Sequence, residues 1–304
     1  MDKNDQHKRP VEDRTIIVRY GELALKGENR RYFESQLQMN MEKQLSSAAV
    51  DARVTKIRGR FFVNVPLVQT QKAIDVLRCV FGIVSVSPAY SVEATEDKVV
   101  ACSIHAVAEY LSKRENHPVP VAFRVRTRRI NKKFSLTSME VDSLLGEKLL
   151  EHFPLKVRLT KPELVLGVEL YDRAYIFTET YAGVGGLPVG VSGKVVVNVA
   201  GPFGVLAAFL MLKRGCETVL VASRDADVSS LQRYTPKKLT VHAVRPDEAQ
   251  NVAQEKVYAF VDAVMGIPKK QEKAARGLVN LYPLIAWNEE QARAACKRYA
   301  LACA

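Results

Sequence analysis

Residues 121–138 read VAFRVRTRRINKKFSLTS, and this stretch predicts a strand, a turn and the start of a helix in close succession. Alternation typical of a strand with one buried face is seen at Val121, Phe123, Val125 and Thr127, with arginines between the last three. The chain can turn at Asn131. Thr137 and Glu140 then have capping-box spacing, which predicts a helix beginning there.

The same stretch carries a dense positive charge. Six of the ten residues from 124 to 133 are Lys or Arg, and none is acidic. We name these six the basic ledge: Arg124, Arg126, Arg128, Arg129, Lys132 and Lys133. A buried strand, a basic turn and a helix N-terminus together form a rigid cationic surface that suits a phosphate backbone. The alternative is an ordinary solvated strand face, because runs of charge are commonly just surface.

Length, composition and charge limit the classes of protein to which this chain can belong. A chain of 304 residues predicts about two or three domains with ample core. Hydrophobic residues are 47% and charged residues 26%, which is typical of a soluble globular protein. The net charge of +12 indicates a polyanionic partner without naming it. No apolar run is long enough to span a membrane and the first residues are polar, so we expect a cytoplasmic protein.

The cysteines and histidines do not predict a metal site. None of the five cysteines forms a CxxC pair, and the five histidines show no ligand spacing with them. Each cysteine has apolar or helical neighbours, so each is predicted to be a buried free thiol. They are Cys79, Cys102, Cys216, Cys296 and Cys303.

The order of predicted elements before residue 183 indicates two mixed regions. The first has the order β-α-β-β-α-β, which predicts a small ferredoxin-like unit. Its strands are expected within 15–20, 54–65 and 81–90, and its helices within 29–45 and 73–80. In the second region, a helix over 97–114 leads into the basic ledge. Further strands are predicted at 156–159, 164–170 and 174–180.

Residues 183–193 include five glycines among eleven residues, and the pattern of predicted helices and strands changes after them. Such a stretch packs poorly as a helix or strand interior, so we interpret it as a connector at a domain boundary. Strands and helices alternate after it, which predicts an α/β layer with a parallel sheet. The strands are expected at 195–199, 218–222, 239–244 and 258–264, and two of the helices at 246–256 and 288–301.

Several segments, taken in order, resemble the tRNA 4-thiouridine sulfurtransferases, which are also labelled thiamine-biosynthesis proteins. They are Thr15–Asn29, Phe81–Pro88, Phe123–Met139 and Gly185–Gly193. The resemblance implies a fold of the α/β and α+β classes with three domains. These would be a ferredoxin-like N-terminal domain at 1–80, a THUMP RNA-binding domain at 81–182, and a degenerate, Rossmann-like PP-loop ATP-pyrophosphatase domain at 194–304. A Gly-rich linker at 183–193 would join the last two.

The resemblance also implies an RNA partner. In that family the first two domains together hold the acceptor end of tRNA, so the basic ledge would supply phosphate contacts. Arg19 and Lys26 in the first domain are further candidates, although ordinary surface charge is the alternative for both. A folded RNA end is read by shape, phosphate and 2′-hydroxyl contacts, so Lys and Arg without interleaved aromatic residues are adequate.

One motif departs from the family. Its ATP loop has the form Ser-Gly-Gly-x-Asp-Ser, whereas this chain has Ala200, Gly201, Pro202, Phe203 and Gly204 at that place. Pro202 lacks a backbone N–H and Phe203 brings a bulky ring, although Gly201 and Gly204 could still leave an anion nest. The family's cofactors are ATP and magnesium. We predict no cofactor and no catalytic residue here, and interpret these five residues as a degenerate nucleotide-binding loop.

The resulting hypothesis is a tRNA-binding, sulfurtransferase-like protein that holds the acceptor end for tRNA modification, its own ATP loop having been lost. A separate catalytic or sulfur-carrier protein would be its second partner; a homodimer is left open, and no membrane is involved. The first alternative is an active ATP-dependent sulfurtransferase with an unusual nucleotide site, using Cys216 or Cys296. The second is a non-catalytic basic structural subunit.

Overall fold

A computed structural model describes residues 13–21, 29–57, 59–113, 119–222, 226–244, 257–266 and 278–302. The chain divides into two compact units. The first contains the residues up to Val18, together with Asp51–Ile74 and Ser85–Ala182. The second contains Arg19–Val50, Asp75–Val84 and the chain from Gly183 onward.

The N-terminal elements follow the predicted ferredoxin-like order. They are β1 (Asp13–Tyr20), α1 (Arg30–Ser47), β2 (Arg53–Ile57), β3 (Arg60–Pro66), α2 (Thr70–Arg78) and β4 (Ile83–Glu93). The strands lie in the sheet order β2-β3-β1-β4. β-Branched residues favour strands, and Ile16, Ile17 and Val18 are fully buried in β1. The prediction of a β-α-β-β-α-β unit is confirmed.

The next elements extend the same sheet. They are α3 (Glu96–Ser112), β5 (Val121–Arg129), α4 (Ser138–His152), β6 (Leu155–Val157), β7 (Leu164–Leu170), β8 (Arg173–Phe177) and β9 (Tyr181–Ala182). The sheet continues in the order β4-β8-β7-β5-β6, and β9 pairs with β4. β5 runs parallel to both of its neighbours. Its residues Val121 and Phe123 are buried against Leu145 and Leu149 of α4, so one face of the basic strand belongs to the core.

The elements after residue 193 form a second sheet. They are β10 (Lys194–Asn198), α5 (Gly204–Lys213), β11 (Glu217–Val221), β12 (Val241–His242), β13 (Ala259–Val261), β14 (Val279–Leu281) and α6 (Glu289–Tyr299). All pairings are parallel, in the order β12-β11-β10-β13-β14. The four predicted strands are therefore confirmed as parallel neighbours. β14 was not predicted, and the helix predicted at 246–256 lies outside the described residues.

The glycine-rich segment 183–193 is hydrogen-bonded to other parts of the second unit. The N–H of Leu187 donates to the carbonyl of Lys213 at 2.9 Å, and that of Gly190 to Gly215 at the same distance. Gly186 has a φ of +80°, and a Cβ there would lie 2.3 Å from the Lys213 carbonyl oxygen. Only glycine satisfies both conditions. The use of this segment as a domain boundary stays a prediction.

The cysteines differ from one another. Cys79, Cys102 and Cys216 are free thiols, as predicted, but of these three only Cys216 is buried, whereas Cys79 and Cys102 are half-buried. Burial raises the pKa of all three, that of Cys102 to about 11. Cys296 is disulfide-bonded, so the prediction of a free thiol there is wrong, because pairing depends on tertiary proximity. Cys303 lies outside the described residues.

Among the described helices, none has both the length and the apolar character that a membrane crossing needs.

Candidate nucleic-acid interface

The basic ledge lies on β5 and the turn that follows it. Alternation along the strand puts Arg124, Arg126 and Arg128 on the face opposite the buried Val121 and Phe123. The side chains of four ledge residues are exposed, namely Arg126, Arg128, Lys132 and Lys133. None of these four forms a salt bridge with another residue in the described ranges. Their charge is therefore presented to solvent, where it can meet an anion.

The other two ledge residues are half-buried and brace neighbouring loops. Arg124 donates through Nη1 to the carbonyl of Leu159 at 3.0 Å. Arg129 donates through Nη1 to the carbonyls of Phe134 and Leu136 at 3.2 and 2.9 Å. These backbone acceptors set the geometry of both side chains. The sequence pattern grouped these two arginines with the exposed cations, because alternation does not reveal hydrogen bonds to backbone carbonyls.

The predicted turn and helix start both form. The Oδ1 atom of Asn131 accepts the N–H of Lys133 at 2.9 Å, and its Nδ2 donates to Asp172 at 2.9 Å. At the start of α4, the N–H of Thr137 donates to the Glu140 carboxylate at 2.7 Å, and the N–H of Glu140 donates to the Thr137 hydroxyl at 3.3 Å. This capping box holds the pKa of Glu140 below its usual value, chiefly through the Thr137 backbone N–H.

Three further exposed cations lie beside the ledge and were not predicted as site residues. The segment from β6 to β7 passes next to β5, because the N–H of Arg158 donates to the carbonyl of Phe123 at 2.8 Å. It carries Lys156, Arg158 and Lys161, all exposed. Ten basic against four acidic residues between 124 and 161 were a charge signal for this region. This charge signal did not indicate that the segment from β6 to β7 lies beside β5.

Of the two remaining RNA-binding candidates, Arg19 alone is among the described residues, and it is not on this surface element. Arg19 is a half-buried residue of β1, has interaction partners of its own and belongs to the second unit. Lys26 lies outside the described residues. The role of both in RNA binding stays a prediction.

The loop of Ala200, Gly201, Pro202, Phe203 and Gly204 follows β10 and leads into α5, and its interpretation as a degenerate nucleotide-binding loop stays a prediction. The N–H of Ala200 donates to Asn198 Oδ1 at 3.1 Å, and that of Gly204 lies 3.4 Å from the Gly201 carbonyl. Phe203 is the N-cap residue of α5, and its side chain is buried rather than capping the helix. The backbone donors of this loop are thus partly used within the protein itself.

An acidic side chain near this loop was not predicted from the sequence. Asp262 directly follows β13, and its Oδ1 lies 3.4 Å from Nδ2 of Asn198, which ends β10. Chain order reverses between β10 and β13, and ligands of open α/β sheets bind at such a switch point. Asp262 also accepts the N–H of Ala263 at 2.9 Å.

Comparison with known families agrees with this architecture. Residues 15–87 match the family model of the ThiI ferredoxin-like domain, and residues 93–179 match that of the THUMP domain. The fold and the matches define the chain as a THUMP-domain protein with a ThiI-type ferredoxin-like domain.

Its curated relatives narrow this class. The probable tRNA sulfurtransferases of Methanocaldococcus jannaschii and Thermococcus kodakarensis are each 39% identical over 210 residues. These alignments cover 68% of this chain, and 55% and 54% of the relatives. The chain therefore spans about half the length of these relatives.

Solved structures extend the similarity over most of the chain. The structure of PH1313 from Pyrococcus horikoshii is 29% identical, with a TM-score of 0.82, covering 95% of this chain and 100% of that one. A 4-thiouridine synthetase in complex with RNA and ATP is 25% identical, with a TM-score of 0.77 and coverage of 95% and 85%. The chain is thus related to the tRNA 4-thiouridine sulfurtransferases, as the sequence resemblance implied.

Proposed function

We propose that this protein binds tRNA and holds its acceptor end through the basic ledge. The observation that carries this proposal is the set of four exposed ledge cations, which share one strand and its turn and form no salt bridge with other described residues. They lie within the segment that matches the THUMP domain. The similar 4-thiouridine synthetase is bound to RNA, which supports RNA as the polyanion. Phosphate contacts from Lys and Arg position a folded RNA without reading its bases.

The second part of the proposal is that the chain has lost its own ATP loop. A triphosphate cradle needs several open backbone N–H groups, together with hydroxyl and carboxylate ligands. In this loop Pro202 has no N–H, Ala200 donates its N–H to Asn198, and the Phe203 ring is buried. These residues do not fit the triphosphate, so we derive no step through ATP or magnesium. A separate catalytic or sulfur-carrier protein would supply the modification chemistry.

The alternative enzyme would carry out sulfur transfer on this chain itself. Such a reaction needs an exposed thiolate of low pKa. Cys216 is buried, which raises the pKa of its thiol, and Cys296 is buried and disulfide-bonded. Neither side chain favours the alternative. The proposal therefore assigns tRNA holding, and no catalysis, to this chain.

A salt titration of tRNA binding tests the ledge. The double variant Lys132→Ala/Lys133→Ala removes two exposed cations from the turn. We expect this variant to bind tRNA more weakly. The slope of log K against the logarithm of the salt concentration should also become shallower by about 1.4 to 1.8, since each of the two lost phosphate contacts contributes about 0.7 to 0.9. The matched control is Lys238→Ala/Lys297→Ala, which removes the same charge from the second unit at two exposed lysines that form no salt bridge with other described residues. Equal losses in both variants, or unchanged slopes in the ledge variant, would overturn the proposal.

A further inference from the structure

One acidic side chain lies beside the basic ledge. Asp142, on α4, accepts the backbone N–H of Thr127 at its Oδ1 atom, over 2.8 Å. Thr127 stands between Arg126 and Arg128, two of the exposed ledge cations. Asp142 forms no salt bridge with another residue in the part of the chain that the structure describes. A carboxylate so close to these cations opposes phosphate binding, so electrostatics alone does not explain its position.

The N–H of Thr127 lies on the side of β5 that β6 covers only in part. β6 pairs with residues 121–123, whereas β7 pairs with residues 123–129 on the other side. Among the described strands, none pairs with the β6 side of β5 beyond Phe123. Alternate residues of an inner strand bond to opposite neighbours, and Thr127 is in phase with Phe123, whose carbonyl accepts a bond from the β6 side. Asp142 therefore supplies the acceptor that a neighbouring strand would otherwise give.

The helix α4 holds this acceptor in a fixed place. Val141, the residue before Asp142, is buried in the core, and the capping box fixes the start of the helix. The hydrogen bond thus ties the backbone of β5 to a packed helix at Thr127. Side chains of a strand project to alternate sides of the local backbone. Anchoring the backbone at Thr127 therefore sets the direction in which Arg126 and Arg128 project.

We propose that Asp142 is a positioning residue of the RNA interface. Through the N–H of Thr127 it fixes the backbone from which Arg126 and Arg128 reach phosphate groups. The inference rests on the proposed function, because it concerns the geometry of the cations that hold tRNA. It assigns to an acidic side chain a favourable effect on the binding of a polyanion. The charge of Asp142 has the opposite effect, so substitution can separate the two.

Two variants of Asp142 separate its hydrogen bond from its charge. Asp142→Asn removes the charge but keeps the Oδ1 acceptor, so it should bind tRNA at least as tightly as the wild type. Asp142→Ala removes both and should bind tRNA about fivefold more weakly, which corresponds to the loss of one hydrogen bond. The matched control is Glu147→Ala, which removes the same charge from an exposed position of the same helix and should not weaken binding. The inference is overturned if Asp142→Ala behaves like this control, or if Asp142→Asn binds as weakly as Asp142→Ala.

Hydrogen exchange tests the anchor in the absence of RNA. The backbone amide of Thr127 should exchange slowly in the wild type and in Asp142→Asn, and about tenfold faster in Asp142→Ala. Thermal melts identify a temperature at which all three proteins are folded, and both exchange and tRNA binding are measured there. Rapid exchange of the Thr127 amide in the wild type, or equal rates in the wild type and Asp142→Ala, would show that the hydrogen bond does not hold the strand and would overturn the inference.

The double variant Arg126→Ala/Arg128→Ala separates this inference from the proposed function. It should bind tRNA more weakly than the wild type, and adding Asp142→Ala to it should cause no further loss, because Asp142 acts through these two arginines. A further fivefold loss in the triple variant would show that Asp142 acts elsewhere, which would overturn the inference while the proposed function stands. Unchanged tRNA binding by the double variant would instead contradict the proposed function, and the inference with it.

Discussion

The Nη1 atom of Arg129 lies 2.9 Å from the carbonyl oxygen of Leu136, and this hydrogen bond closes the basic turn after β5. The same nitrogen also reaches the carbonyl of Phe134 at 3.2 Å. Arg126, three positions earlier on the same strand, is exposed and has no such side-chain bond among the described residues. Two arginines of one charge cluster therefore have different physical roles.

Substitution of these two arginines should distinguish a residue that supplies only positive charge from one that also stabilises the fold. We expect Arg129→Ala to lower the free energy of unfolding by about 1–2 kcal/mol, because two partly buried hydrogen bonds from a charged donor to backbone carbonyls are lost. Arg126→Ala should change it by less than about 0.5 kcal/mol, as is usual for an exposed site. Urea denaturation measures both, and tRNA affinity should fall in both variants. Equal stabilities of the two variants would show that the Arg129 bonds contribute nothing to the fold.

The capping box of α4 should make stability depend on pH at its acidic end. Glu140 accepts the Thr137 N–H, which lowers the pKa of its carboxyl below the ordinary value of 4.5. The folded state thus binds the proton less readily than the unfolded state. The stabilisation is present above the unfolded pKa and is lost as pH falls through the folded pKa.

Glu140→Gln should therefore have a lower thermal midpoint than the wild type at neutral pH, and this difference should shrink once the solution is more acidic than the folded pKa. Thermal melts of both proteins, from neutral pH to a pH below the folded pKa, measure this difference in midpoint. Glu147→Gln is the matched control, since Glu147 is exposed on the same helix but lies outside the cap. A difference that stays constant down to acid pH would show that the ionised carboxylate does not stabilise the cap.

The isolated protein should not bind ATP near physiological concentration. Micromolar affinity needs about 8 kcal/mol, and a loop with few open donors and no hydroxyl or carboxylate of its own is not expected to supply it. Isothermal calorimetry measures this, and tRNA binding by the same preparation shows that the protein is folded. Stoichiometric ATP binding that is abolished by Gly201→Asp would instead establish a surviving nucleotide site and favour the enzyme alternative.

The glycine-rich segment should tolerate alanine unequally. Gly185 and Gly186 both have positive φ, +68° and +80°, so alanine at either place costs about 1–2 kcal/mol of backbone strain. A Cβ at Gly185 meets nothing within 4 Å, whereas at Gly186 it would lie 2.3 Å from a backbone oxygen. Gly186→Ala should therefore be clearly the less stable variant in urea denaturation. Equal stabilities would show that the segment moves aside without cost.

Much of the fold could be predicted because its signals are local. Three signals come from residues that are close together in the sequence: the alternation in β5, the spacing of Thr137 and Glu140, and the β-α-β-β-α-β order. Steric preference and burial act within a single helix or strand, so these signals can be recognised without the tertiary structure. The same holds for the parallel strands after residue 193, which read as apolar runs. β14 was missed because a strand of three residues has no measurable period.

The sequence by itself determined where the cations and the altered loop lie along the chain, because composition and motif spacing are properties of the chain alone. Only the tertiary structure decided that Arg129 is tied to Leu136, that Arg158 lies beside Phe123, and that Asn198 approaches Asp262. It also decided that the Asp142 carboxylate accepts the N–H of Thr127. Each of these depends on contacts between residues distant in sequence or on the path of a turn, and hydrogen-bond geometry at a few ångströms leaves no trace in local periodicity.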